Sequence, residues 1–202
     1  ACGDPKAAAR IAVLDPTLTI TQPGPVAAAT GMDAIVHAVE TAVTTKRNQL
    51  SWLYSREAFR LAQANLPRVL EDGQDLRARS AMQLGAALSG LAIENSMLGA
   101  AHAAANPLTA RFGIVHGQAV GVMLPKVIRF NSEDDQAKSA YTELALVAGL
   151  VSPDDPMPVA IDALLERLAC LLNVCSLSAG LIELGVDRDL LGMLAEEAAR
   201  QW

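Results

Sequence analysis

The sequence predicts an all-α protein, a multi-helix bundle preceded by a short extended lead-in, and three observations carry that expectation. Of the 202 residues 51% are apolar but only 3% aromatic, so a core must be filled with Ala, Leu, Val, Ile and Met. That composition suits closely packed helices better than sheets. From Val26 onward the apolar residues recur at helical spacing. No GxGxxG and no P-loop pattern marks a strand–turn–helix unit that would cradle a pyrophosphate.

Residues 1–10 read as a frayed, tag-like start. Ile11 to Leu14 is a short apolar run closed by Asp15-Pro16, and Thr17 to Pro25 is extended and irregular, so residues 1–25 form a lead-in arm. The first helix is expected from Val26 to Thr45, with Met32, Ile35, Val36, Val39 and Val43 on one stripe. After the polar break Arg47-Asn48-Gln49, a second helix runs from Ser51 to about Leu70, with Pro67 bending its end. A third spans Leu76 to Ala105. Its many small residues, Gly85, Ala86, Gly90 and Gly99 among them, let neighbouring backbones approach and place it centrally.

Asn106-Pro107 should end that helix, because the residue before proline is pushed out of the α region, which leaves Leu108 to Val115 as a loop. His116-Gly117 opens a fourth helix reaching Phe130, with Pro125 as a kink. Ser132 to Asp135 caps a fifth, Gln136 to Ala148. A rigid connector around Pro153, Pro156 and Pro158 leads into a long helix from Val159 to Ser176, whose continuation ends at Gly185. Asp187 caps the last, which reaches Trp202.

A chain of this length fits one domain with ample volume for a core. Its net charge of −6 and isoelectric point near 5.0 exclude an attraction to nucleic acid or to anionic membranes. Cys2, Cys170 and Cys175 include no CxxC pair and read as buried free thiols in a reducing compartment. With no signal peptide pattern and no apolar run of ~20 residues, the expectation is a soluble, cytoplasmic protein.

The chemistry gathers around the three histidines. Asp33 and His37 are four apart on a helix, so one carboxylate and one imidazole project from the same face, a turn apart. His102 and His116 flank a segment that can double back. One carboxylate and three neutral imidazoles suit a borderline divalent ion, Fe²⁺, Zn²⁺, Mn²⁺ or Ni²⁺, and the lack of nearby thiolates argues against a structural zinc. The same Asp-x₃-His spacing is common on helices that bind nothing. What sets this chain apart is that all its histidines fall within the set.

Thr30-Gly31-Met32-Asp33-Ala34-Ile35-Val36-His37-Ala38-Val39-Glu40 resembles the helix motif of the iron-containing (group III) alcohol dehydrogenases. The segment His102 to His116, followed by Gly117-Gln118-Ala119-Val120-Gly121-Val122-Met123-Leu124-Pro125 and Phe130-Asn131, resembles that family's second motif. The likeness covers most of residues 11–131 in order and interval. It implies a helical C-terminal domain with Asp33, His37, His102 and His116 as metal ligands. The metal would be iron first, zinc or manganese otherwise, polarising the oxygen of a small alcohol or aldehyde while NAD(P) exchanges hydride. Because the imidazoles must be neutral to bind, metal affinity should fall below about pH 6.5.

Three departures from the family pattern stand out. Asn106 occupies the position where the family often has a second histidine that assists proton transfer, and an amide is no general base at neutral pH. Lys126 replaces a histidine common after the Leu-Pro pair. No counterpart of the nucleotide-binding half is visible, and the chain stops at Trp202, near where family members continue briefly.

The expected function is therefore the metal-carrying, catalytic half of an iron-dependent dehydrogenase, inactive alone. The alternative is a stand-alone helical metal-binding or interaction module, with a homo-oligomer or partner domain covering its exposed apolar face; a bundle that binds nothing is a third reading. Around the core of this proposal, Glu40 is either a partner for an imidazole or a solvated or capping residue. Arg111 either faces an anionic ligand or is a loop surface charge. Trp52 and Tyr54 read as packing, and Met82, Met97 and Met123 as core.

Overall fold

A computed structural model describes residues 9–201. Its centre is α1 (Gly24–Thr41), apolar on nearly every side and buried from Ala27 through Thr41 apart from Thr30 and the half-buried Asp33 and His37. Around it pack α2 (Gln49–Glu71), α3 (Leu76–Glu94), α4 (Ala100–Phe112) and α5 (His116–Asn131). Next, α6 (Asp135–Val147) pairs with α7 (Met157–Val174), and α8 (Leu191–Ala199) lies against α4. The described residues contain no strand, and none of their helices is long and apolar enough to cross a membrane.

Local chemistry sets the helix starts. Asn48 accepts the N–H groups of Leu50 and Ser51 while Ser51 Oγ accepts the Asn48 N–H, a reciprocal cap for α2. Asp75 and Asp134 cap α3 and α6 through the N–H groups of Ala78 and Ala137. Met32, Ile35, Phe59, Leu66, Leu124, Ile128, Tyr141 and Leu164 are at most 1% exposed and form one continuous core. Each fully buried large side chain contributes about 1.5–3 kcal/mol of transfer free energy. Polar ties inside it include the Thr41–Ser55 hydroxyl pair at 2.7 Å and Arg167, which donates to Gln63 Oε1 at 2.8 Å and so fastens α7 to α2.

Several expectations from the sequence are corrected. The predicted third helix is two: Asn95 closes α3, and α4 starts after Gly99. The polar Glu94-Asn95-Ser96 run before Gly99 was the available signal. The central position belongs to α1; α3 buries only Ala78, Arg79, Gly85, Ser89 and Ala92. Pro107 does not end a helix. It lies buried inside α4, which continues through Leu108 to Phe112 and leaves only Gly113–Val115 as connection. Tertiary packing of α4 outweighs the local penalty of about 3 kcal/mol for an interior proline.

The first helix starts at Gly24 and stops at Thr41, four residues short of Thr45. The arm is not extended throughout, because Pro16–Thr19 forms a 3₁₀ turn capped by Asp15; Ile11 and Val13 are exposed. Residues 1–8, with Cys2, and Trp202 lie outside the described residues. The long helix ends at Val174, short of Ser176. Asp187 makes no side-chain cap and precedes a 3₁₀ turn, Arg188–Leu190, ahead of α8. Cys175 is buried, but Cys170 is exposed.

Candidate metal centre

Asp33 and His37 leave α1 on the same side because they are one turn apart. His102 is the third residue of α4 and His116 the first of α5. The short return at Gly113–Val115, left-handed at Gly113 (φ 65°), brings the start of α5 back towards the start of α4. Of the four residues singled out in the sequence, Asp33, His37 and His102 offer ligand atoms within 4.8 Å of one another, and His116 reaches the same carboxylate oxygen from outside that mutual set. Asp33 Oδ1 stands 3.4 Å from His37 Nε2, 3.3 Å from His102 Nε2 and 3.7 Å from His116 Nε2. The His37 and His102 rings stack with centroids 4.7 Å apart, and His116 meets His102 at 5.3 Å.

These residues fit a divalent cation. Nitrogen and oxygen ligands at about 2.0–2.2 Å in a tetrahedral shell lie about 3.4 Å from one another, and the His37 and His102 nitrogens stand at that spacing from Oδ1, with His116 at 3.7 Å. His116 lies outside the mutually close set of the other three and would have to draw in to complete a shell of four. Asp33 Oδ1 and His102 Nε2 are both sealed from solvent and lack a hydrogen-bond partner. Buried polar atoms normally have one, so two such atoms facing each other are what a cation would satisfy. His102 closes the back of the site at 3% exposure, while His116 at 39% opens it to solvent.

The electrostatics follow from burial and two carboxylates. For His102, burial opposes charge, but the carboxylates of Asp33 and Glu40 outweigh it and raise its pKa to about 9. His37 is held below its usual value, because burial exceeds the pull of Asp33. Burial would raise Asp33, yet the approach of His102, His37 and His116 keeps its carboxyl below the usual carboxylate range. Protons and a cation thus compete for the same lone pairs.

Glu40 is not solvated: it is 2% exposed. Its Oε1 accepts the N–H groups of Ala101 (2.6 Å) and His102 (3.2 Å), capping α4 from another helix, and its Oε2 lies 2.5 Å from His102 Nδ1. The sequence pointed to Glu40 only as one turn beyond His37, without naming the histidine it meets. Gly117, which lets α5 touch the α1 backbone, gave no signal beyond being a glycine next to a histidine.

The remaining candidates lie elsewhere. Asn106 donates to Gln201 Oε1. Arg111, in the last turn of α4 and not in a loop, pairs with Glu197 of α8 and does not enter the site. Trp52 is half-buried, with the guanidinium groups of Arg47 and Arg56 5.4 and 5.8 Å from its ring centroid, and Tyr54 is half-buried. Met82 and Met123 pack on the core; Met97 is half-buried outside it.

Residues 27–202 match the family described as Fe-containing alcohol dehydrogenase family, C-terminal. The chain is 32% identical over 167 residues to 1-propanol dehydrogenase of Citrobacter freundii, covering 83% of this chain and 45% of that protein. It is 32% identical over 190 residues to alcohol dehydrogenase 4 of Schizosaccharomyces pombe, covering 94% and 44%. A solved 1,3-propanediol oxidoreductase superposes with a TM-score of 0.87 at 30% identity, over 93% of this chain and 48% of that one. An iron-containing alcohol dehydrogenase from Thermococcus thioreducens does so with a TM-score of 0.80 at 29% identity, over 97% and 48%. The chain spans about half the length of the curated relatives it matches.

Proposed function

Since the chain belongs to the iron-containing alcohol dehydrogenase family through its C-terminal domain, we propose that it is the metal-carrying, catalytic half of an NAD(P)-linked dehydrogenase of small alcohols and aldehydes. The observation that carries this reading is the single carboxylate oxygen of Asp33 with three imidazole nitrogens 3.3–3.7 Å from it. Asp33, His37, His102 and His116 would hold the ion, Fe²⁺ before Zn²⁺ or Mn²⁺. When bound, such an ion supplies Lewis acidity at the substrate oxygen.

The chain's own residues do the rest of the positioning. His102 is walled in, so substrate approaches from the exposed His116 side. Asn106 cannot take a proton at neutral pH and its amide is engaged by Gln201, so the alcohol proton leaves to solvent through the open side and not through residue 106. The nicotinamide cofactor we assign to a domain outside these 202 residues, since the match is C-terminal and covers about half of each relative. On this reading the 202 residues alone bind metal and do not turn over.

Anaerobic loading with Fe²⁺ tests the proposal. One ion per chain is expected, with no NAD(P)-linked oxidation of short primary alcohols. Failure to take up any divalent ion would overturn the metal centre, and robust turnover by these residues alone would overturn the placement of the cofactor. Metal uptake with self-association and without nucleotide dependence would instead favour a stand-alone metal-binding module.

A further inference from the structure

Glu40 is the most heavily engaged buried acid among the described residues, and none of its three contacts is to another helix-α1 side chain. One oxygen takes two backbone N–H groups from the first turn of α4; the other faces the ring of a histidine in the same turn. A carboxylate is an acceptor, so a hydrogen in this contact sits on His102 Nδ1, and the neutral form of the ring, the one a cation binds, has its lone pair on Nε2. That Nε2 is the buried, unpartnered nitrogen 3.3 Å from Asp33 Oδ1. Gly99 makes the arrangement fit, since a Cβ there would stand 3.1 Å from Glu40 Oε1.

We propose that Glu40 is a positioning residue, its carboxylate clamping the backbone and the ring of His102 together so that Nε2, and no other atom, is presented to the metal centre. This rests on the reading of Asp33, His37, His102 and His116 as metal ligands. The clamp does two things that a simple cap does not. It fixes the tautomer, and it ties the ring's direction to α4 itself, so that α1 sets both the ligands it carries and the one it does not.

Glu40→Gln tests this with nearly unchanged volume. If the amide oxygen faces Nδ1, the NH₂ group is driven against the Ala101 and His102 N–H donors. If it turns over, NH₂ faces Nδ1 and forces the hydrogen onto Nε2. Either way Zn²⁺ affinity, measured by chelator competition, should fall about 10–100-fold, while circular dichroism of the metal-free protein stays helical. Unchanged affinity in a folded Glu40→Gln protein would overturn the proposal. Should that variant fail to fold, nitrogen-15 spectra of the Zn²⁺-loaded native chain decide. A slowly exchanging His102 Nδ1–H with zinc on Nε2 is expected; zinc on Nδ1, or a freely exchanging Nδ1–H, would overturn the clamp. A native chain that takes up no zinc at all would instead overturn the metal-centre reading on which this rests, and the clamp with it.

Discussion

The backbone of Gly117 lies so close to α1 that a Cβ at this position would stand 1.9 Å from the carbonyl oxygen of Ala29. Backbone cannot yield as a flexible side chain does, so the two helices must separate to admit even a methyl group. His116 is the neighbouring residue and reaches Asp33 at 3.7 Å.

Gly117→Ala should therefore act on stability and on the site together. Overpacking of this kind costs about 1–3 kcal/mol or more, a drop of several degrees in melting temperature for a chain of this size. Metal affinity should fall as well, because the His116 side moves away from Asp33. Calorimetric melting and chelator competition on one sample check both; a variant with native melting and native affinity would contradict the close approach.

His37→Ala removes a proposed ligand that lies outside the core cluster. Its side chain is only partly buried, at 21% exposure, so the melting temperature of the metal-free protein should change little. Zn²⁺ affinity should fall by at least about 100-fold, more than for loss of a supporting contact. Plasma mass spectrometry of protein reconstituted with one equivalent and then desalted is expected to find the variant nearly empty.

The pH dependence is set by His102, whose pKa in the fold is about 9 against an ordinary 6.5. Between these values the folded metal-free chain holds a proton that the unfolded chain has released. This contribution is fully present below about pH 6.5 and lost as pH rises through 9. The metal-free melting temperature should thus decline from pH 6.5 to 9.5. Metal uptake near pH 7.5 should release about one proton, so proton competition sets in well above the pH 6.5 that free imidazoles would suggest. Titration calorimetry in buffers of different ionisation enthalpy measures the release; binding with none would contradict this.

Cys170 and Cys175 are one and a half turns apart but differ in surroundings. Burial pushes the Cys175 thiol up to about 11, while Cys170 is exposed. Reactivity needs thiolate and access, so iodoacetamide at pH 8 should label Cys170 in the native protein and Cys175 only after unfolding, as read by peptide mass mapping. Equal labelling of the two would count against the packing of α7.

The helical class was legible because composition and period agree along most of the chain, and the Asp33–His37 pair because a fixed spacing on one helix determines a face. The meeting of His102 and His116 with that pair was visible only through the family motifs, since no local rule says where a fourteen-residue interval returns. The Pro107 error shows the opposite limit. Local restriction at Asn106 was read correctly as a penalty, but the burial of Pro107 and Leu108 decides the outcome, and burial is a property of the partners. Glu40 was ambiguous for the same reason: the two residues it contacts, Ala101 and His102, are 61 and 62 residues away.

The enclosed glutamate also settles a matter of charge. Asp33 and Glu40 bring two negative charges to a cluster whose other members are neutral rings when a cation is held. A doubly charged ion balances them. A singly charged one would leave the cluster negative, and a triply charged one would leave it positive. If the four residues hold an ion as proposed, discrimination by valence follows from electroneutrality without any change in the shape of the site.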